Sequence, residues 1–482
     1  METAMKKLKP RKAPGPDKIK NEMLCHMGKK ARLILLFAIN RTWREAKIPA
    51  AWRTANITPI LKKGKPVDDP LSYRPISLTS CLGKLAERMV NNRLYWWLEK
   101  TQSLDNTQAG FRRGCRTEDQ LFRLVQNTID GFQNEKHTTA VFIDLQQAYD
   151  RVWRKGLLMK MLNMGIHGKM LQWIQTFLQN RTIGTSFSGT MSSKRTLEEG
   201  LPQGSALSCT LFLIFINDLP SLLNTQKALF ADDLVIWTSE KYPVLTRAKL
   251  NRTLAIISTY CNLWKLKVNE QKTVYTTFSR SPKTTQRTFR LTMNGALLKK
   301  EENPTYLGVK LDKQLRMTEH INNIKEKASK RLNMVKRLAS TTWGADKSTL
   351  RQLYLGYVRS TMDNCLPLQA IASEHITTSL DRVQNQGLRF ICGGMRTTPT
   401  AACEIDANIE PLDIRRRRAL IEAVERYKRI EKNHPNRQTI DRWKSNQRIQ
   451  QKSLLEVGKN LEEHYHLPTD REPITRCPGP PP

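Results

Sequence analysis

The chain has 482 residues, a hydrophobic fraction of 39% and a formal net charge of +36 at pH 7. A chain of this length holds about two to four domains or subdomains, and the lack of any apolar stretch of about 18 residues argues against a membrane span. Lysine and arginine are spread along the whole chain, so the positive excess predicts a groove that follows the phosphate backbone of a nucleic acid rather than a basic tail.

The first part of the chain predicts helices around an extended hairpin. A Pro/Gly turn in "KAPGPD" precedes a helical pattern that contains Leu33, Leu36 and Phe37. The stretch "ITPILKKGKPVDDPLSYRPISLT" predicts a strand, a basic turn and a returning strand. Helical patterns follow in "CLGKLAERMVNNRLYWWLE" and at residues 118–133.

The middle of the chain predicts two strands that end at or turn through aspartates. The apolar run from Ala140 to Ile143 predicts a buried strand, and Asp144 follows it directly. Helical patterns come next at residues 155–162 and 170–178, and an apolar helix follows "LPQG". The stretch "KALFADDLVIWTS" predicts a hairpin with Asp232 and Asp233 at its turn.

Beyond about residue 318 the pattern is largely helical. Apolar residues recur at helical spacing, namely Ile321, Ile324, Ala328, Leu332, Val335 and Leu338. Lysines and arginines occupy the other faces of this helix. The run Arg415–Arg418 predicts an exposed helix face, an RNA contact or a nuclear address. The last ~45 residues are polar and end in "CPGPPP", which predicts a linker or a frayed tail.

The cysteines and the N-terminus bear on the compartment. Nine cysteines are scattered without a CxxC pair or a Cys/His array. This spacing argues against a zinc site or a disulfide scaffold and favours free thiols in a reducing compartment. The N-terminal residues lack the apolar core of a secretory signal. We therefore expect an intracellular protein, in the nucleus, the cytoplasm or both, that is not secreted.

Three aspartates carry the strongest chemical signal. Asp144 closes one strand, while Asp232 and Asp233 sit at the turn of a hairpin, and carboxylates that converge from two strands are what two divalent cations require. Each feature also has an ordinary explanation, because most Asp-Asp pairs are solvated turns and an aspartate after a strand often caps the next element. The surrounding sequence blocks favour the catalytic alternative.

Eight blocks of the sequence, in order, resemble a known family. The stretches "VFIDLQQAYDRVW", "LPQGSALSCTLFLIFINDL", "LFADDLVIW", "LKVNEQKT" and "YLGV" resemble consecutive reverse transcriptase motifs. Upstream, "KAPGPDKI", "SYRPISLTSCLGKLAERMVNNRL" and "QAGFRRGCRTEDQL" are similar to non-LTR (LINE-type) retrotransposons, especially the jockey-like elements of arthropods. The resemblance is strong over residues 10–312 and weaker to about residue 430.

The resemblance implies a catalytic centre with metal ions. Asp144, Asp232 and Asp233 match the metal ligands of the family, which implies two Mg²⁺ ions, with Mn²⁺ as an alternative. Lys272 matches the lysine that protonates the leaving pyrophosphate. Asp150 follows the same strand but is expected to be structural.

The resemblance also implies residues that bind the deoxynucleoside triphosphate (dNTP). Tyr149 matches the aromatic steric gate, whose ring excludes a ribose 2′-hydroxyl. Gln203 of "LPQG" would lie beside the incoming nucleotide. Arg74, together with Lys63 or Lys65, matches the triphosphate contacts, although a solvated basic turn explains either lysine equally well.

Two further segments are expected to meet the nucleic acid. The turn Tyr306–Gly308, with Leu307 at its centre, resembles the turn that grips the primer end. Arg112 and Arg113, and Arg116 beyond them, are expected either to contact template phosphates or to pack the fingers. The helix at residues 321–338 is expected to face the template and primer backbone with its lysines.

These expectations define an α+β right-hand polymerase with an antiparallel palm sheet plus helices, fingers and a helical thumb. The predicted parts are an N-terminal fingers extension (1–51), a reverse transcriptase domain of fingers and palm (52–312), a helical thumb and C-terminal helical region (313–430) and a polar linker or tail (431–482). Within them, the fingers are expected at residues 10–139 and 155–200.

The resemblance predicts RNA-directed DNA polymerisation in a mobile element, with an RNA template, a DNA primer or target and dNTPs as partners. Two rival hypotheses remain: an inactive nucleic-acid-binding remnant of a retrotransposon, and a different palm polymerase. Related elements usually carry an endonuclease and, in some lineages, a ribonuclease H domain, and the sequence displays neither. Whether the chain is a fragment or an active copy, and its oligomeric state, stay open at this point.

Overall fold

The N-terminal part of the chain is helical and leads into a β-hairpin. The computed structural model describes residues 1–339, 344–446, 448–468 and 470–474. Its first elements are α1 (Glu2–Met5), α2 (Asn21–Cys25), α3 (Lys29–Glu45), α4 (Ala50–Arg53), β1 (Thr54–Leu61) and, after a 3₁₀ turn at Pro70–Ser72, β2 (Tyr73–Thr79). Strands β1 and β2 are antiparallel, with Ile57 opposite Ser77, so the predicted hairpin is confirmed.

The hairpin belongs to a first sheet that is completed by later strands. The next elements are α5 (Cys81–Lys100), α6 (Thr117–Gln133), β3 (His137–Ile143), α7 (Arg154–Asn163), α8 (Gly168–Leu178), β4 (Arg181–Phe187), β5 (Thr190–Met191) and β6 (Arg195–Leu197). Strand β4 lies parallel to β1 and antiparallel to both β5 and β6. The order of this sheet is therefore β2-β1-β4-β5, with β6 on the side of β4.

A second sheet carries the predicted aspartates. The elements are α9 (Ser208–Ile216), α10 (Leu219–Leu222), β7 (Gln226–Phe230), β8 (Asp233–Glu240), α11 (Pro243–Leu263), β9 (Val274–Phe278), α12 (Pro282–Gln286), β10 (Thr292–Met293), β11 (Ala296–Leu297), β12 (Lys299–Lys300), β13 (Thr305–Tyr306) and β14 (Val309–Lys310). The strand order is β12-β9-β3-β8-β7. Only the pair of β12 with β9 is parallel among its described pairs.

Both faces of the second sheet are buried, because apolar side chains point alternately to one face and to the other along its strands. On β8, Leu234 and Ile236 join the core beneath one face, while Val235 and Trp237 join the core beneath the other. The first core includes the apolar residues Leu211–Ile216 of helix α9, and the second contains α6 and the C-terminal helices. Helices on both sides of a largely antiparallel sheet confirm the predicted α+β fold.

The C-terminal part is helical in the described residues. Its elements are α13 (Thr318–Lys336), α14 (Lys347–Leu353), a π-helical turn at Tyr354–Arg359, α15 (Ser360–Met362), α16 (Leu366–Gln369), α17 (Glu374–Ile391), α18 (Thr400–Ala407), α19 (Leu412–Arg429), α20 (Pro435–Arg442) and α21 (Leu454–His464). The predicted stripe on α13 is buried from Ile321 to Val335. Leu338 is 43% exposed because α13 ends at Lys336 and the chain leaves the helical register.

The prediction of a polar linker or tail at 431–482 is wrong for its described residues. Helix α20 packs on α6 and α19, and α21 does the same. Leu454 and Leu455 are almost fully buried, and the side-chain amide of Asn436 donates to the carbonyl of Asp119 at 3.0 Å. A few apolar residues in a polar segment are enough to dock a helix on an existing core. The residues from 475 to the C-terminus lie outside the described residues.

Helix α6 corrects the predicted extent of the fingers. It was expected at residues 118–133 as part of the fingers, but it packs against β3, β7 and β8 of the second sheet. Its apolar residues are buried on several faces, including Phe122, Val125 and Ile129, because the sheet covers one side and the C-terminal helices cover the other. In the described residues no helix is long and apolar enough to cross a bilayer.

Candidate active site

Neighbouring strands bring the three predicted carboxylates to one end of the second sheet. Asp144 directly follows β3, whose last residue, Ile143, pairs with Leu234. Asp232 lies in the two-residue turn between β7 and β8, and Asp233 begins β8 opposite Phe230. The strand end and the hairpin turn are therefore adjacent, as the sequence predicts.

The carboxylates influence one another electrostatically. Burial raises the pKa of Asp232, and the charge of Asp144 adds to the effect. The pKa of Asp233 is raised to about 6 by desolvation and then by the charges of Asp232 and Asp144. The Lys272 ammonium lies 4.0 Å from a carboxylate oxygen of Asp144. One lysine at this distance leaves a net negative site, which favours cations.

A groove of about 590 Å³ joins two of the aspartates to two other predicted segments. Its lining includes Asp144, Asp233, Lys272 and the turn at residues 306–308. Four separate sequence blocks thus meet at one cavity. A larger cavity, of about 680 Å³, lies at the far end of β8 and contains none of the predicted site residues.

The donor set fits hard divalent cations. Carboxylate oxygens are the ligands that Mg²⁺ and Mn²⁺ prefer, and the pKa of Asp233 is raised first by desolvation and then by the negative charges of its two neighbours. Within the described ranges, no three His, Cys, Asp or Glu side chains already stand in the arrangement of a metal cluster. Asp144, Asp232 and Asp233 are the residues that would hold the ions.

Tyr149 lies beside the carboxylates between two aromatic rings. Its ring stacks on Phe212 with centroids 4.7 Å apart and meets Phe111 edge to face at 6.4 Å. Burial raises the pKa of its hydroxyl, with smaller contributions from neighbouring Cys209 and Asp232. The two aromatic contacts fix the ring next to the catalytic turn.

The loop of Gln203 joins the first sheet to the candidate site. The Gln203 side chain donates to both carboxylate oxygens of Asp150 at 3.1 Å. The backbone carbonyl of Gln203 accepts from the backbone N–H of Ser77 at 3.0 Å. Gly204 has a φ of +108°, and a Cβ there would lie 2.9 Å from the Ser77 carbonyl oxygen. Only glycine suits this close approach. Asp150 thus supports the loop through Gln203.

The basic residues of the hairpin lie at different distances from this loop. Arg74 lies on β2, three positions before Ser77, which corresponds to roughly 10 Å along an extended strand. Lys63 and Lys65 lie in the β1–β2 connection, at the opposite end of the hairpin from the loop. All three side chains are exposed. The structure brings Arg74 closer to the site than either lysine.

For Arg112 the structure favours packing over the predicted contact with template phosphates. It is buried, and its guanidinium forms a bidentate pair with Glu99 at 3.0 and 2.8 Å. A phosphate contact would break this buried pair and leave Glu99 uncompensated. Arg113 is exposed and lies over the Tyr95 ring at 6.0 Å. Arg112 therefore has a packing role, while the exposed Arg113 remains available to a ligand.

The turn at residues 306–308 meets the groove through its backbone. Tyr306 is only 4% exposed and packs on Phe142 with ring centroids 5.4 Å apart, so a direct contact of its ring with nucleic acid is excluded in this conformation. Leu307 and Gly308 both have positive φ values, at +47° and +84°. They form the exposed corner between β13 and β14, where a primer contact would fall.

The run Arg415–Arg418 is used within the protein. Arg415 pairs with Asp363 at 2.7 Å, and Arg416 pairs with Asp381 at 2.9 Å. Arg417 and Arg418 approach carboxylates of Asp413 and Glu410 at 3.7 and 2.7 Å. Arg415 and Arg416 thus connect α19 to other elements, while Arg417 and Arg418 lie on an exposed face of the helix, as one of the predicted alternatives has it.

Gln108 is a site-supporting residue that the sequence analysis missed. Its side-chain oxygen accepts from the backbone N–H groups of Ala231 and Gly110 at 2.9 and 2.8 Å, and its side-chain nitrogen donates to the Ala231 carbonyl at 3.2 Å. Ala231 immediately precedes Asp232. Only the quoted block "QAGF" could have drawn attention to Gln108, since its partner lies 123 positions away.

A palm-like sheet with three carboxylates at its end defines the class of protein. Residues 60–311, just over half of the chain, match the family of reverse transcriptases (RNA-dependent DNA polymerases). The chain belongs to this family and has the right-hand polymerase fold, with the second sheet as its palm. The first sheet lies within the residues predicted to form the fingers, and helices α13 to α19 lie within those predicted to form the thumb region.

The curated relatives that the chain matches are mobile-element proteins. It is 31% identical to the probable RNA-directed DNA polymerase from transposon BS of Drosophila melanogaster, over 80% of the chain and 44% of that protein. It is 30% identical to the RNA-directed DNA polymerase from mobile element jockey of Drosophila funebris, over 89% and 47%. The chain therefore spans less than half the length of these curated relatives.

Solved structures of telomerases show a distant similarity. The apo telomerase from Candida tropicalis aligns over 58% of the chain with a TM-score of 0.37. The telomerase from Candida albicans, solved with a fragment of telomeric RNA, aligns over 80% with a TM-score of 0.38. Both are 12% identical in sequence.

Proposed function

We propose that the chain catalyses RNA-directed DNA polymerisation, adding dNTPs to a primer 3′-hydroxyl by a two-metal mechanism during retrotransposition. The observation that carries the proposal is the meeting of Asp144, Asp232 and Asp233 at the end of the palm sheet, where Asp144 and Asp233 line one groove together with Lys272. Family membership supports the same conclusion. The partners would be an RNA template, a DNA primer or target and dNTPs.

The aspartates supply the negative site that the reaction requires. Two divalent cations, Mg²⁺ or Mn²⁺, would supply activation of the primer hydroxyl and stabilisation of the charge on the pyrophosphate when bound. Asp144, at the end of β3, Asp232, in the β7–β8 turn, and Asp233, at the start of β8, would hold them. Lys272, which is 69% exposed, is free to move from Asp144 to donate a proton to the leaving pyrophosphate.

The remaining residues would bind and select the substrates. The Tyr149 ring would occupy the space of a ribose 2′-hydroxyl, and its two aromatic contacts support this role by preventing rotation. Arg74 would bind the triphosphate, with Lys63 or Lys65 reaching it by movement of the hairpin. Arg113 and the Leu307–Gly308 corner would contact the template and primer, together with the exposed lysines of α13.

Primer extension tests the proposal. The protein would be incubated with an RNA template, an annealed DNA primer, dNTPs and Mg²⁺, and we expect template-dependent extension. The double variant Asp232→Ala with Asp233→Ala should lose extension by more than about 10³-fold, because it removes most of the metal-binding charge. The variant Asp441→Ala, in an exposed pair with Arg437, serves as the control and should remain active.

The same assay separates the rival functions. An inactive remnant would bind RNA but extend no primer, and extension by the double variant would contradict the assigned site. A different palm polymerase would prefer ribonucleotides or a DNA template. The intact set Asp144, Tyr149, Asp232 and Asp233 favours the reverse transcriptase over both rivals.

A further inference from the structure

Gln108 lies in the loop between α5 and α6 and connects this loop to the turn that carries Asp232 and Asp233. The side chain is 4% exposed, and its carboxamide pairs with both the N–H and the C=O of Ala231. A third hydrogen bond, from the Gly110 N–H, fixes the orientation of the carboxamide itself. The carboxamide oxygen therefore accepts two hydrogen bonds and the nitrogen donates one, so only one N–H of the side chain has no partner among these groups.

The backbone at Ala231 needs such support. Its φ of +58° lies in the left-handed region, which is disfavoured for a residue with a Cβ. Residues in such conformations persist when their surroundings hold them. Ala231 is followed directly by Asp232, so the direction of the aspartate side chains depends on this one conformation.

The segment around Gln108 runs beside β7 like an additional short strand. The Ala109 N–H donates to the Leu229 carbonyl at 2.9 Å, and the Leu229 N–H donates to the Thr107 carbonyl at 3.1 Å. Gly110 follows, and a Cβ there would lie 2.1 Å from the Ala231 nitrogen. The absence of a side chain at Gly110 therefore lets the segment reach the turn.

We propose that Gln108 is a positioning residue for the polymerase reaction. It holds Ala231 in the left-handed conformation and so fixes Asp232 and Asp233 relative to Asp144, without touching substrate or metal itself. The expected effect of Gln108 on the polymerase rate rests on the proposed function. Its effect on cation binding by the aspartates can be measured without any turnover.

The test compares Gln108→Met with Gln120→Met. Methionine keeps the length of glutamine and removes its hydrogen bonds. Gln120 is a matched control, because it is also buried and its side-chain nitrogen donates to the carbonyls of Thr107 and Leu229, at 2.9 and 3.1 Å, rather than to the turn. Both variants lose buried hydrogen bonds to backbone groups of the loop before α6 and of the β7–β8 hairpin, and only Gln108→Met removes those to Ala231.

Two measurements are made on folded protein. In primer extension with Mg²⁺, we expect Gln108→Met to lower kcat by about 10- to 100-fold while the KM for dNTP changes by less than about 3-fold, because misplacement of a supported group lowers rate more than binding. In electron paramagnetic resonance titrations with Mn²⁺ and no nucleic acid, its Kd for Mn²⁺ should rise by about 10-fold. Gln120→Met should change neither quantity by more than about 2-fold.

The outcomes separate this inference from the proposed function. Equal effects of the two variants on kcat and on the Mn²⁺ Kd would overturn the positioning role. If the wild type extends no primer, the proposed function fails, and the Mn²⁺ comparison still decides the role of Gln108. If Gln108→Met does not fold, Gln108→Asn replaces it, since asparagine keeps an uncharged carboxamide but is one methylene too short to reach both backbone groups of Ala231. An unchanged Mn²⁺ Kd and kcat in Gln108→Asn would also overturn the role.

Discussion

Tyr149 is held by its neighbours on two sides, and this determines what its ring can do. A ring that stacks on Phe212 and meets Phe111 at its edge cannot swing aside without losing both contacts. A fixed ring discriminates by steric exclusion, whereas a mobile one would yield to a 2′-hydroxyl. The proposed gate therefore depends on the aromatic ring of Tyr149 rather than on its hydroxyl.

The first prediction concerns this ring. Tyr149→Ala should lower the preference for dNTPs over ribonucleotides by about 10- to 100-fold, which corresponds to about 1.4–2.8 kcal/mol of selectivity. The ratio of kcat/KM values for dCTP and CTP on the same primed RNA measures it. Tyr149→Phe keeps the ring and should keep the preference. Unchanged sugar discrimination in Tyr149→Ala would remove the gate role.

At the scale of elements, helix α13 contains a buried histidine that makes the thumb region sensitive to acid. His320 is 1% exposed, and burial lowers its pKa from 6.5 to about 4. The unfolded chain therefore binds more protons than the folded protein between about pH 6.5 and pH 4, so stability falls as the pH falls through this range.

The second prediction follows from this histidine. Between pH 7 and pH 4, His320 should contribute a loss of about 3 kcal/mol in the free energy of unfolding, from the pKa difference. His320→Gln should remove that part of the pH dependence, as measured by urea unfolding at several pH values. Exposed His375 on α17 provides the control. If His320→Gln and His375→Gln have the same pH dependence, the assignment is wrong.

A second element-scale feature ties the C-terminal helices to the palm. Asp119 on α6 accepts a hydrogen bond from the Tyr427 hydroxyl at 2.8 Å and forms an ion pair with Arg426, both on α19. Its other oxygen accepts from the Arg116 N–H at 2.8 Å and caps α6. One buried carboxylate therefore serves both a helix start and a contact between helices.

The third prediction tests this carboxylate. Asp119→Ala should lower the free energy of unfolding by about 3–5 kcal/mol, because it leaves the largely buried Arg426 without its partner. Asp441→Ala, which removes an exposed pair within α20, should cost less than about 0.5 kcal/mol. Urea unfolding followed by circular dichroism distinguishes the two. Similar small losses in both variants would show that Asp119 does not join α6 to α19.

At the scale of the whole molecule, the net charge of +36 is distributed between internal pairs and open surfaces. The arginine run on α19 is paired within the protein. Lys325 and Lys327 on α13, by contrast, are exposed beside a fully buried apolar stripe. The exposed face of α13 is the better candidate for phosphate contacts.

The fourth prediction uses salt dependence to test that face. Lys325→Ala with Lys327→Ala should weaken binding to a primed RNA template, and the slope of log K against log salt concentration should become shallower by about 0.7–0.9 for each lost phosphate contact. The control is Lys347→Ala with Lys459→Ala, which removes lysines paired with Asp406 and Glu463. Equal slopes in the two double variants would exclude α13 from the interface. Fluorescence anisotropy at several salt concentrations provides the measurement.

The sequence predicts the palm well because its signals are local. An apolar run ending in Asp144 and a hairpin around Asp232 are short patterns, and the family resemblance gives their order. Long-range partnerships leave no such local pattern. The burial of Arg112 depends on Glu99, the support of Ala231 depends on Gln108, and the docking of α21 depends on a core built by other helices. These were the features that the sequence missed or misplaced.

The position of β3 in the palm has a mechanical consequence for the carboxylates. β3 is hydrogen-bonded on both edges and buried on both faces, so Asp144 extends from a strand that is held on every side. β8, which begins at Asp233, pairs with β3 from Leu234 to Glu240. The sheet therefore sets the spacing between Asp144 and Asp233, and a displacement of one strand would carry both carboxylates with it.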